Sequence, residues 1–114
     1  MGRFSSTLSL NPAGTIITVD PTSSNSGKSE AATDARVFLD VTSVPGGGAE
    51  LDVDVQISED GTNFADIGAF ESITVAKLYV FEIAREKLGK FVRLVYRPAS
   101  GSWTLGADLE KKQN

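Results

Sequence analysis

The 114-residue chain contains no cysteine and no histidine. Without cysteine, no disulfide can staple the fold and no thiolate can act as a nucleophile or metal ligand. Without histidine, the commonest general base and the commonest zinc ligand are both missing. The chain is therefore expected not to be an enzyme, and no catalytic, cofactor or metal residue is assigned. Long apolar runs are absent as well: none approaches the roughly 18 residues that span a bilayer as a helix. The opening MGRFSSTLSL also lacks the apolar core of a signal peptide. A soluble protein made in the cytoplasm, with no membrane partner, is the expectation. Positive charge is in deficit, with 11 Lys and Arg against 15 Asp and Glu and a net charge of −4. That argues against nucleic acid, whose binders need a positive surface to displace counterions from phosphates.

What the chain does have is alternation. In residues 49–70, AELDVDVQISEDGTNFADIGAF, Leu51, Val53, Val55 and Ile57 alternate with Asp52, Asp54, Gln56 and Ser58. In an extended strand this puts aliphatic side chains on one face and polar ones on the other. The Asp60-Gly61 step supplies a residue that tolerates positive φ, so the chain can reverse into 64–70. This predicts a hairpin.

The same reading extends along the chain. Residues 3–10 read as an edge strand stopped by Asn11-Pro12-Ala13-Gly14, and TIITVD at 15–20 as a strand ended by Pro21. Residues 22–33, TSSNSGKSEAAT, have no period and read as a surface loop or a mobile arm. In residues 35–44 Val37, Leu39 and Val41 share a face, leaving Phe38 on the other, either at an interface or under the loop. The three glycines at 46–48 have no Lys-Ser or Lys-Thr after them and read as a connector, not a phosphate loop. In KLYVFEIA (77–84) the Tyr79, Phe81 and Ile83 side is the expected core face, because Glu82 lies on the other. EIAREKL could form a short helix, and one turn at most is expected after the strand. KFVRLVYR at 90–97 and the strand from 102 to 109 flank Pro98-Ala99-Ser100-Gly101 and read as a second hairpin.

The result is an all-β fold, an antiparallel β-sandwich of jelly-roll or Ig-like type with about seven or eight strands. Residues 1–34 are expected to form an N-terminal strand and mobile arm, 35–109 the sandwich core, and 110–114 a polar tail. The expected core is Leu39, Val41, Leu51, Val53, Val55, Ile57, Phe70, Phe81, Val92, Leu94, Trp103 and Leu105.

Asp52 and Asp54 could suggest a calcium site or an acid-base pair. Both lie in a regular strand, though, and nothing nearby in sequence would place one carboxyl in an apolar pocket. Charge is segregated, acids dominating 34–82 and bases 85–97, as in a bipolar docking surface or in ordinary solvated strand faces. Phe91, Arg93, Val95 and Arg97 fall on one outer face of a strand, a mixture of arginine and apolar groups typical of interface hot spots. With Phe38 they form the expected partner interface.

The order RVFLDVTSVPGGGAELDVDVQISEDGTNFADIGAF, a spacer, then GKFVRLVYRPASGSWTLGADL resembles small tailed-phage virion proteins of the head decoration, or cement, type. The resemblance covers residues 35–109. It implies a sandwich on the capsid exterior that binds and stabilises the major capsid protein shell, often as a homotrimer. Tail or head-completion subunits are alternatives within the virion. ISEDGTNFADI followed by KFVRLVY also resembles the later half of discoidin-like carbohydrate-binding modules, which are longer and carry aromatic sugar-binding loops.

Overall fold

The computed structural model describes residues 3–29 and 34–113. In chain order the strands are β1 (Arg3–Ile17), β2 (Thr22–Ser23), β3 (Gly27–Lys28), β4 (Asp34–Ser43), β5 (Leu51–Ser58), β6 (Ala65–Ala69), β7 (Leu78–Ile83), β8 (Phe91–Pro98) and β9 (Trp103–Gln113). A 3-10 turn, Arg85–Lys87, follows β7 as expected. One sheet runs β1-β9-β4-β7; the other runs β2-β8-β5-β6, with β3 also on the β8 edge. All pairings are antiparallel. The fold is an antiparallel β-sandwich.

Strand period explains the interior. On β5, Leu51, Val53 and Val55 are fully buried; they face Val37, Leu39 and Val41 of β4 and Trp103, Leu105 and Leu109 of β9 across the gap. Every expected core residue belongs to this cluster, with Ile57 and Phe81 half-buried at its margin. Tyr79 and Ile83 of β7 turn inward and Leu78 and Val80 outward, which follows from Glu82 needing water on the Leu78 side. The β5–β6 hairpin forms as its sequence predicts, with Gly61 at φ 80.

Four expectations are corrected. Residues 98–101 do not close a hairpin, because β8 and β9 lie in different sheets and the turn crosses between layers. Alternation fixes which face of a strand is buried, not which strand lies beside it. Trp103 Nε1–H donates to the Ser100 carbonyl at 3.0 Å and steadies this crossing. Second, Asn11-Pro12-Ala13-Gly14 interrupts β1 without ending it: Asn11 pairs with Ala107 and Thr15 with Leu105, so the extra residues bulge out of the ladder. Third, residues 22–29 are not a free arm but are bound along β8, while 30–33 lie outside the described residues. Fourth, the polar segment after Leu109 is not a tail. It extends β9 between β1 and β4, where Glu110 pairs with Arg36 at 2.9 Å and Lys112 with Asp34 at 3.5 Å.

Candidate functional site

The expected interface residues do not form one surface. Phe91, Arg93, Val95 and Arg97 lie on the outer face of the β8 sheet, whereas Phe38 lies on the outer face of the opposite sheet, with the core between. On β8 both arginines are engaged within the molecule. Arg93 Nε donates to Gln56 Oε1 at 2.8 Å, and its guanidinium stacks 3.9 Å from the Phe64 ring centroid. Gln56 Nε2 in turn donates to Asp66 at 2.8 Å. Arg97 donates to Asp54 at 2.9 Å and lies 3.8 Å from Asp20, and the Asp54 hydrogen bond pushes its pKa above the ordinary arginine value. Val95 is only 4% exposed. The Phe91 ring packs on the hairpin turn, where a Cβ at Gly61 would meet it at 3.3 Å. The face is a polar ladder closed on itself.

The carboxylates do not converge either. Asp54 is taken by Arg97, and Asp52 accepts a hydrogen bond from Ser72 Oγ at 2.9 Å. Asp60 accepts the backbone N–H groups of Thr62 and Asn63, both at 2.8 Å, and a bond from the Asn63 side chain. These donors, the Asn63 amide first, hold its carboxyl well below the usual range. Its work is to shape the turn. Among the described residues no three Asp, Glu, His or Cys side chains gather in a way that could hold a metal ion.

On the other face Phe38 is half-buried, with the Arg36 guanidinium 5.0 Å from its ring centroid. It borders a shallow depression of about 230 Å³ shared with Asn11, Asp40, Thr42, Leu78 and Asp108. Trp103, fully buried, is not available to stack on a sugar.

Sequence reasoning missed a different surface. Ile16 (64% exposed), Val19 (62%), Val75 (52%), Leu78 (56%) and Val80 (49%) leave large apolar side chains in water. The first three sit at one end of the sandwich. Strands β1, β4, β6 and β8 finish there while β5, β7 and β9 begin, so residues 18–21, 44–50, 70–77 and 99–102 come together. Exposed Asp20, Glu50 and Glu71 stand in those loops against two bases, Lys77, which is 3.9 Å from Glu71, and Arg97 of β8, which is 3.8 Å from Asp20. The end is apolar and acidic. At the opposite end exposed Lys28, Lys87 and Lys90 are interspersed with exposed Glu59, Asp60 and Glu86, so that end is mixed in charge. The signal for Leu78 and Val80 was present in their parity with Glu82; Ile16 and Val19 fall in an apolar run, TIITVD, too uniform to show which side faces out.

No family model matches the chain, and no curated protein matches it in sequence. Among solved structures it is similar to one described as the structure of infectious bursal disease virus Gx strain, at 14% identity and a TM-score of 0.41. That similarity covers 98% of this chain and 32% of the other, so the chain spans about a third of that neighbour's length.

Proposed function

We propose that this protein is a non-enzymatic virion subunit, a decoration protein that binds the outside of a phage capsid shell and stabilises it. The observation that carries the proposal is the loop end, where Ile16, Val19 and Val75 are more than half exposed amid Asp20, Glu50 and Glu71. Exposed apolar side chains amid an excess of acidic groups suit a docking surface: burial supplies affinity, and the acidic excess favours a basic, apolar-lined site on the shell protein. Each side chain buried there contributes about 1 kcal/mol, so a stable contact must recruit further area, about 1,000 Å² in total. The resemblance of residues 35–109 to decoration proteins supports the same reading, since that stretch forms β4 to β9 in unbroken order.

Co-sedimentation with empty capsids from the same source tests it. The protein should pellet with the shells, less strongly at high salt, and a Val19→Asp, Val75→Asp double variant should stay in the supernatant. Failure of the unaltered protein to pellet in either low or high salt overturns the proposal.

A further inference from the structure

The sandwich has an open edge whose backbone and side chains both suit a second copy of itself. The Val41 N–H donates to the Lys77 carbonyl at 3.0 Å, and Leu39 lies opposite Tyr79 and Val37 opposite Phe81. Because hydrogen-bonded and non-bonded pairs alternate in an antiparallel ladder, Tyr79, Phe81 and Ile83 direct their N–H and C=O groups toward β4. Those of Leu78, Val80 and Glu82 point away from the sheet. Among the described residues no strand pairs with that side of β7. The same residues carry the exposed side chains, Leu78 at 56% and Val80 at 49%.

Other edges of the sandwich are protected. Residues 22–29 cover β8, β1 is broken by the bulge at 11–14, and β6 is short and contains Gly68. Strand β7 has no proline, no bulge and no lysine within it. Its only such device is the charge of Glu82, away from the middle of the strand.

We propose that β7 pairs antiparallel with β7 of a second copy about a two-fold axis at Val80, joining the β1-β9-β4-β7 sheets of the two copies into one. Residues i and j of the two copies are then opposite when their numbers sum to 160, which keeps every side chain on its own face. Val80 meets Val80 of the second copy, and Leu78 meets Glu82; each of these pairs exchanges both of its hydrogen bonds. Since Phe38 is the neighbour of Val80 on β4, the row through the axis reads Phe38, Val80, Val80, Phe38, continuous and apolar. In the flanking rows Glu82 stands between Arg36 of its own copy and Leu78 of the other, so no like charges oppose across the junction. Beneath β7 lies β6, the edge of the other sheet, its Gly68 against the Phe81 ring. Two copies meeting along β7 thus also bring their second layers together. This two-fold pair replaces the trimer implied by the family resemblance, and it stands independently of the capsid reading.

Sedimentation equilibrium of the full chain, over about 5 to 500 μM, should show a mass rising to twice 12.1 kDa. Val80→Lys puts a charge at the axis of both copies on a solvent-facing site, and should weaken the pair at least about tenfold. Thr7→Lys, also exposed but on β1 at the opposite edge of the same sheet, should leave it unchanged. In hydrogen exchange the amides of Leu78, Val80 and Glu82 should slow as concentration rises, while Tyr79 and Phe81, bonded to β4, are slow throughout. A monomer across the range overturns the proposal and leaves the edge to an extended segment of another protein. A trimer, or a dimer that Val80→Lys leaves intact, overturns it equally.

Discussion

Removing one hydroxyl, Ser24→Ala, should loosen the N-terminal segment and measurably destabilise the whole sandwich. Between β2 and β3 the chain leaves the edge of β8 for the span of a few residues, and Ser24 fills the gap. Its N–H donates to the Leu94 carbonyl at 2.8 Å, and its Oγ accepts the Leu94 N–H at 2.8 Å, standing where a backbone carbonyl would in a continuous strand. The same Oγ donates to the Asn25 carbonyl at 2.9 Å, and the Asn25 N–H reaches across to Leu10 of the other sheet at 3.1 Å. Leu94 is fully buried and Ser24 only 8% exposed. Alanine therefore leaves a buried amide without its acceptor, a penalty of about 1–3 kcal/mol, and forfeits a second hydrogen bond of about 1 kcal/mol. Some water entry at this edge offsets part of it, so about 2 kcal/mol is expected. Urea unfolding followed by the emission of Trp103 reads it directly, because the single tryptophan is buried until the core opens. Ser24→Thr keeps the hydroxyl and should recover most of the loss. A cost below about 0.5 kcal/mol for alanine, or a threonine variant as weak as alanine, would refute the role given to this hydroxyl.

Two further perturbations test the core and the crossing between layers. Burial raises the Tyr96 phenol well above its ordinary value of 10.0 while its hydroxyl bonds Asn11 Oδ1 at 2.5 Å. Below pH 10 both folded and unfolded chains keep this proton; above it the unfolded chain loses a proton that the folded chain retains, so stability falls by up to about 1.4 kcal/mol per pH unit. Urea midpoints between about pH 8 and pH 11.5 should show that decline, and Tyr96→Phe should flatten it. Gly101 has φ 81, and a Cβ there would run into the Pro45 ring, whereas Gly47 at φ 69 faces open space. Gly101→Ala should cost about 2–4 kcal/mol and Gly47→Ala about 1 kcal/mol, with thermal midpoints ranked accordingly; equal costs would mean that Pro45 moves aside freely.

The strands of the second half of the chain were legible because their side chains alternate strictly. From Leu51 to Ile57 every second residue is aliphatic, and the Asp60-Gly61 step can be reached only by a tight reversal, so both the strand and its hairpin follow from local chemistry. Pro98 to Gly101 carries equally strong turn chemistry, yet the turn joins two sheets. What separates the cases is long-range: β4 and β1 both have open sides that need β9, and no residue near the turn records that demand. Residues 22–29 escaped for another reason. Serine reads as loop because its hydroxyl competes with backbone hydrogen bonding, and here that competition is what Ser24 and Ser29 use to hold the edge of β8, Ser29 Oγ donating to the Gly89 carbonyl at 2.9 Å. The strand after Leu109 escaped because its outward residues are charged and nothing apolar marks the continuation.

The expected partner residues on β8 are already engaged within the molecule, for a reason that composition cannot reveal. Arginine and aromatic side chains alternating on β8 have the chemistry of a hot spot, but a hot spot must hold groups that gain more from a partner than from their present neighbours. Arg93 already has Gln56 and the Phe64 ring, and Arg97 already has Asp54. A partner taking either one must first break a hydrogen bond within the sheet and leave the abandoned carboxylate or amide to water, so the net gain of exchange is close to zero. Leu78, Val80, Ile16, Val19 and Val75 are in the opposite position. Each presents apolar surface to solvent, and at Leu78 and Val80 the backbone groups face the side of β7 that no strand pairs with among the described residues, so covering them breaks no ladder inside the protein. Association of this chain with anything should begin there, and substitutions at Arg93 or Arg97 should change its stability before they change its affinity.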